Sequence, residues 1–159
     1  YARVFQELYG LKTVSLRYFN VFGPKQDPSS EYSGVISRFI SALLNGEQPV
    51  IYGDGEQTRD FVFVADVVSA NILASRGTPG VYNIACAKSI SLNTLVKVIG
   101  KVLAKEVRPG YESAREGDIK HSLADISRAE GMGYFPKYDL EEALIETIEW
   151  FKNTKNKNY

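Results

Sequence analysis

Within its opening residues the chain passes from a helical period into a β-branched run, leaving room for only a tight turn between them. Tyr1, Val4, Phe5, Leu8 and Tyr9 recur at i, i+3, i+4, i+7 and i+8, and Gly10 stands where a helix C-cap would fall. Thr13 to Phe19 then reads T-V-S-L-R-Y-F, a strand composition. Helix, short turn and strand in that order is the grammar of an α/β protein. The helix opens at Tyr1 already in mid-period, and the sole methionine is Met132, so a fragment of a longer chain is expected.

The same alternation continues. Asn20 to Gly34 holds Gly23, Pro24, Pro28, Ser29, Ser30 and Ser33 and reads as a loop, of the long kind that carries function. Helices are expected over 35–45, 65–75 and from an N-cap at Ser91 to about Ala104, and strands over 49–52, 59–64, 81–86 and 107–112. Turns are expected at Gly53-Asp54-Gly55 and Glu116-Gly117, and a short helix capped by Asp125 ends near Gly131. Asp139 and Glu142 form a D-x-x-E capping box ahead of a last helix, whose stripe is Leu140, Leu144, Ile148 and Phe151. The polar tail from Asn153 is expected to fray. These strands are short and too few for a complete doubly wound sheet.

Composition narrows the partners. Its 159 residues, 44% of them apolar, suffice for one ordinary core. Nineteen basic and 19 acidic side chains cancel, so no global field draws nucleic acid or an anionic membrane, and any anion needs locally placed groups. No apolar stretch reaches the roughly 18 residues of a spanning helix. A lone Cys86 cannot close an intrachain disulfide, and one histidine leaves little to build a zinc site. Cys86, at the end of an apolar strand, reads as a small hydrophobe, and His121 as a surface or structural histidine.

Three clusters offer chemistry. Tyr18, Phe19 and Asn20 end a strand, where open α/β sheets meet ligands, although Asn20 would equally serve as a plain turn residue. Arg59, Phe61 and Phe63 share one strand face, and a guanidinium among aromatics calls for an anion such as phosphate, or for a salt bridge to Asp54 or Asp60. Arg115 and Asp118 flank Gly117 in a turn that could aim one at phosphate and the other at a hydroxyl pair, or stand as a solvated charged loop.

Taken together, L-R-Y-F-N-V-F-G-P-K-Q-D-P (Leu16 to Pro28), G-D-G-E-Q-T-R-D-F-V-F-V-A-D-V (Gly53 to Val67), V-Y-N-I-A (Val81 to Ala85) and R-E-G-D-I-K-H-S-L-A-D-I-S-R-A (Arg115 to Ala129) resemble one family over nearly the whole chain. It is the extended short-chain dehydrogenase/reductase family of NAD-dependent nucleotide-sugar epimerases and dehydratases. Within it, the resemblance is greatest to UDP-N-acetylglucosamine and UDP-glucose 4-epimerases.

The resemblance implies an α/β fold made of the C-terminal substrate-binding domain together with the last helix and strands of a Rossmann sheet. Residues 1–20 would end the Rossmann domain, 21–159 would form mainly the UDP-sugar domain, and about 59–86 would rejoin the sheet. It places Tyr18 and Phe19 beside the nicotinamide of NAD and Asn20 on the substrate diphosphate. Gly34 and Val35 would start the helix over the uridine diphosphate, with Val50 and Tyr52 on the strand against the uracil. Arg59 and Arg115 would hold the diphosphate, Asp118 the ribose, and Ser122 would leave room at the sugar's C2 substituent for an N-acetyl group.

The family's catalytic Tyr-x-x-x-Lys pair would lie upstream, since Tyr1 is followed four residues later by Phe5. No G-x-x-G-x-x-G phosphate loop occurs either, so NAD would be held mostly by the other half, and this fragment is expected to bind UDP weakly and to be inactive alone. The parent is expected to be a cytoplasmic homodimer acting without nucleic acid or membrane. A 4,6-dehydratase or UDP-glucuronate decarboxylase of the same family, and a non-catalytic nucleotide-sugar binding module, are the alternatives.

Overall fold

The computed structural model describes residues 1–30 and 34–155. In chain order the elements are α1 (Ala2–Tyr9), β1 (Val14–Tyr18), β2 (Asn20–Phe22), α2 (Val35–Leu44), β3 (Val50–Tyr52), β4 (Thr58–Phe63), α3 (Val64–Ala74), β5 (Gly80–Ile84), β6 (Ser89–Ser91), α4 (Leu92–Leu103), β7 (Gly110–Glu112), α5 (Ser127–Gly131) and α6 (Leu140–Lys155). The expected α/β architecture is therefore present. β1 pairs with β5, β2 with β4 and β3 with β7, all parallel, while β6 closes antiparallel on β4.

Several expectations need correction. The segment assigned as loop from Asn20 begins with β2, because Asn20, Val21 and Phe22 find the backbone of Phe61, Val62 and Phe63 alongside. Its Gly/Pro/Ser signal starts to act only at Gly23, and residues 31–33 lie outside the described residues. β6 was not expected at all; Ser89 to Ser91 has no strand composition and is strand only because Asp60, Arg59 and Thr58 pair with it. Asp125 caps one residue early, its Oδ1 accepting the Ser127 N–H at 2.9 Å while Ile126 occupies the N-cap. Asp139 Oδ1 takes the Glu141 amide rather than that of Glu142. The expected fraying from Asn153 gives way to helix through Lys155, whose ammonium reaches the carbonyl of Leu44 and the side chain of Asn45; residues 156–159 lie outside the described residues.

Helix ends follow local chemistry. Ser91 caps α4 as its sequence predicts, the hydroxyl accepting the Thr94 N–H at 3.2 Å. Gly10 ends α1 in the left-handed conformation, at φ 66°.

Two apolar cores flank β4, whose successive side chains point to opposite sides. Phe61 and Phe63 join Phe22 and the inner faces of α2, α4 and α6, including Leu144, Ile148 and Phe151 of the predicted stripe. Val62 points the other way, among Val67, Tyr82, Ile84, Ile126 and Tyr134. Buried polar groups lock the two sides together. Asp66, in the first turn of α3, accepts the backbone N–H groups of Lys137 and Tyr138, and the Tyr134 hydroxyl donates to Ala85 O at 2.9 Å. Those bonds fix the segment that leads into α6.

Candidate nucleotide-binding cleft

The site begins with a change of partner in the backbone. β1 runs beside β5 as far as Tyr18 opposite Ile84, Phe19 N–H still donates to Ile84 O at 3.0 Å, and from Asn20 the chain lies beside β4 instead. Strands that part company in this way leave a crevice beyond their carboxyl ends. The crevice here is a cleft of about 870 Å³, walled by Phe19 to Phe22, the start of α2, β3, the Arg59 face of β4 and the turn 115–118.

Arg59 stands on that wall because the strand period puts it on the side of Phe61. Its Nη1 donates to the carbonyls of Thr58 at 2.8 Å and Ile119 at 2.5 Å, and its Nη2 makes a salt bridge with Asp118. The salt-bridge alternative for Arg59 is thus realised, with Asp118 as partner instead of Asp54 or Asp60. Asp118 is presented by the turn predicted at Gly117, which has φ 77° and lets Asp118 N–H reach Arg115 O at 3.2 Å. Arg115, at the other side of that turn, lays its guanidinium 3.9 Å from the ring centre of Tyr52. That stacking holds the cation without neutralising it, and among the described residues Arg115 has no ion pair.

The structure gathers Phe19, Asn20, Gly34, Val35, Val50, Tyr52, Arg59, Arg115 and Asp118 around the one cleft. Asn20 is no turn residue; its Nδ2 donates to Asp60 O at 3.1 Å, tying β2 to β4 while its side chain borders the opening. Tyr18 and Ser122 are not part of the wall. Tyr18 faces the other side of its strand, with its hydroxyl donating to Asn71 Oδ1 on α3 at 2.9 Å. Ser122 is held by its backbone N–H to Thr58 O, one residue along from Arg59.

Sequence reasoning missed other lining residues. Gln57 is 7% exposed and donates from Nε2 to Tyr52 O, joining the base of β4 to the strand under Arg115. It stands two residues before Arg59, so the same strand period would have placed it on the cleft side. Arg38 on α2 and Gln26, whose Nε2 donates to Val21 O at 3.1 Å, also border the cleft. No periodicity marks either of them.

On the reverse face of β4, Asp60 is fully buried and accepts the amides of Cys86 and Ala124. Burial raises its carboxyl above the ordinary value, against the opposing pull of backbone N–H groups from Cys86, Ala124, Ala87 and Lys88. Burial, then the charges of Asp60 and Asp66, push the Cys86 thiol up to about 12, which suits an inert hydrophobe and not a nucleophile.

Similar proteins share this arrangement of backbone. A UDP-N-acetylglucosamine 4-epimerase of Methanobrevibacter ruminantium, solved with UDP-N-acetylmuramic acid, superposes with a TM-score of 0.92 at 51% identity, over 96% of this chain and 50% of that one. A UDP-glucose 4-epimerase of Thermotoga maritima, solved with UDP-glucose, gives 0.92 at 41% over the same shares. A protein described as a putative UDP-glucose 4-epimerase of Methanocaldococcus jannaschii is 40% identical over 153 residues, 96% of this chain and 50% of its own length. The chain spans about half the length of the curated relatives it matches. Residues 1–85 match the NAD dependent epimerase/dehydratase family, and with that match and these relatives the chain belongs to this family.

Proposed function

We propose that the chain forms the UDP-sugar-binding part of an NAD-dependent UDP-sugar 4-epimerase that acts on UDP-N-acetylglucosamine and UDP-N-acetylgalactosamine and on UDP-glucose and UDP-galactose. The observation that carries this reading is the pair of arginines facing one cleft, with Tyr52 beneath one and Asp118 beside the other. Two guanidiniums and an intervening carboxylate match a diphosphate followed by a ribose diol, since planar guanidinium donates to phosphate and carboxylate accepts from hydroxyls. Val50 and Tyr52 supply an apolar and aromatic edge for a pyrimidine, the N-terminus of α2 at Gly34 and Val35 covers the diphosphate, and Asn20 adds an amide. Ser122 lies off the cleft wall, bonded through its backbone to Thr58, and enters this reading only through its small size, which would leave room for an N-acetyl group on a sugar that extends past Arg59.

NAD, when bound, would supply the hydride acceptor and donor for inversion at the sugar's C4. The residues present fit only one end of it. Phe19, at the point where the chain leaves β5 for β4, offers an apolar wall for a nicotinamide, whereas Tyr18 is turned to α3 and would act only from behind. In this reading residues 1–20 and about 59–86 belong to the dinucleotide-binding sheet, the remainder is mainly the UDP-sugar domain, and the whole enzyme is a cytoplasmic homodimer. The general base and the NAD diphosphate site would lie outside these 159 residues.

Titration calorimetry of the purified chain with UDP tests the reading. Each charge-assisted phosphate contact is worth roughly 1.5 to 3 kcal/mol, so UDP should bind measurably, and Arg59→Ala should abolish that binding. UDP binding that is unchanged in Arg59→Ala, or absent from the chain altogether, would overturn it.

A further inference from the structure

The salt bridge between Arg59 and Asp118 has a consequence for which ligands the cleft admits. Three of the five Arg59 N–H donors are already engaged: Thr58 O and Ile119 O take its Nη1, and the Asp118 carboxylate lies on its Nη2. The Arg59 side chain is 15% exposed and that of Asp118 38% exposed, so water screens the pair only in part. Arg115, stacked on Tyr52 and free of any carboxylate among the described residues, is the cation an incoming anion meets unopposed. The charges lining the cleft otherwise balance, with Arg38, Arg59 and Arg115 against Glu47, Glu116 and Asp118.

We propose that Asp118 is a specificity-determining anion filter: it competes with bare phosphate-type anions for Arg59 and yields that guanidinium only to a ligand that also brings hydroxyl donors for its own carboxylate. This rests on the reading of the cleft as a nucleoside diphosphate site. A lone anion beside Arg59 shares one positive charge with Asp118 and suffers its repulsion with nothing in return. A nucleoside diphosphate meets the same repulsion, but its ribose diol donates two hydrogen bonds to the carboxylate, so unfavourable charge becomes a favourable contact. The filter thus rejects by an unpaired like charge and accepts by a hydrogen bond, the two halves of discrimination. The turn at Gly117 ties Asp118 to Arg115, so the carboxylate that screens Arg59 rides on the loop that carries the second cation.

The test compares inorganic pyrophosphate, UDP and uridine by calorimetry on the wild-type protein, Asp118→Asn and Asp118→Ser, with circular dichroism confirming that each variant is folded. The wild type should prefer UDP to pyrophosphate strongly. Both variants should bind pyrophosphate about three- to tenfold more tightly and UDP more weakly by a similar factor, because a half-exposed like charge and a diol contact are each of that order. Variants that lose affinity for pyrophosphate and UDP alike would overturn the proposal, showing that Asp118 only props Arg59 in place. Unchanged pyrophosphate binding would overturn it too. If the wild type bound neither UDP nor pyrophosphate, the nucleotide reading itself would fall, an outcome distinct from both.

Discussion

Asp60 Oδ1 lies 2.9 Å from the backbone nitrogen of Cys86, so a carboxylate inside β4 fastens the chain just beyond the end of β5. Its other oxygen takes Ala124 N–H at 3.2 Å, which fastens the segment following the Arg115 turn to the same point. Three stretches distant in sequence thus converge on one side chain directly behind Arg59.

Asp60→Asn is expected to destabilise the fold, because one of two accepting oxygens becomes a donor aimed at an N–H. The loss should be about 1 to 3 kcal/mol, the range for leaving a buried donor unmet. Urea unfolding should show a lower midpoint with an unchanged slope. A midpoint equal to wild type would mean that these amides are satisfied by other means.

Cys86 carries a pH prediction. Its thiol is raised from an ordinary value of 9.0 to about 12, first by burial and then by the charges of Asp60 and Asp66. The folded value lies above the unfolded one, so the protonated thiol favours the folded state. That contribution is whole below pH 9 and is lost as pH rises toward 12. Native protein at pH 8 should therefore react with iodoacetamide up to about a thousandfold more slowly than the urea-unfolded chain, since thiolate is the nucleophile. Stability should fall between pH 9 and 12 in wild type and less steeply in Cys86→Ala. Equal alkylation rates in the two states would refute the assignment.

How far the sequence foretold this arrangement depends on the range of the forces involved. α4 was readable because Ser91 and the Leu92, Leu95, Val96, Ile99 period are local. The cleft face of β4 was readable because Arg59, Phe61 and Phe63 follow a strict period of two. β2 and β6 were not, since Asn20 to Phe22 runs directly into a Gly/Pro-rich stretch and Ser89 to Ser91 lacks strand composition, and both exist through their pairing with β4. The partner of Arg59 was missed for the same reason: Asp118 is 59 residues away, and only the return of the chain to Thr58 through Lys120 and Ser122 brings it close. Asp60 looked from sequence like a neighbour for Arg59, yet strand alternation sends the two to opposite faces.

Arg115→Lys should weaken UDP binding although charge is retained. A guanidinium centred 3.9 Å over the Tyr52 ring can still offer two parallel N–H bonds to phosphate, whereas an ammonium is a hydrated point charge without that fork. Cation–π stacking at a partly exposed site is worth about 0.5 to 1 kcal/mol. Tyr52→Leu should therefore cost a few-fold in affinity, and Arg115→Lys more. Calorimetry of the two variants and their combination should show non-additive losses, because each removes the same contact. Strict additivity would mean the stacking contributes nothing.

The turn before β4 provides the last prediction. Gly55 sits at φ 77°, and a Cβ built there would fall 2.2 Å from Asn93 Oδ1. Asn93 cannot easily move aside. Its backbone N–H donates to Gly55 O, its Nδ2 donates to Asp54 O and Glu56 Oε1, and its Oδ1 accepts the Tyr111 hydroxyl at 2.9 Å. Gly55→Ala therefore pays twice, in left-handed backbone strain of roughly 1 kcal/mol and in disruption of a side chain that joins α4, β7 and the turn. A total loss of about 2 to 4 kcal/mol is expected. Gly117→Ala has a similar φ of 77° with nothing within 4 Å of the new Cβ, so it should bear the backbone strain alone. Thermal unfolding of the two variants side by side separates the terms. Equal losses at both positions would show that Asn93 rearranges freely and that the turn is held by backbone conformation only.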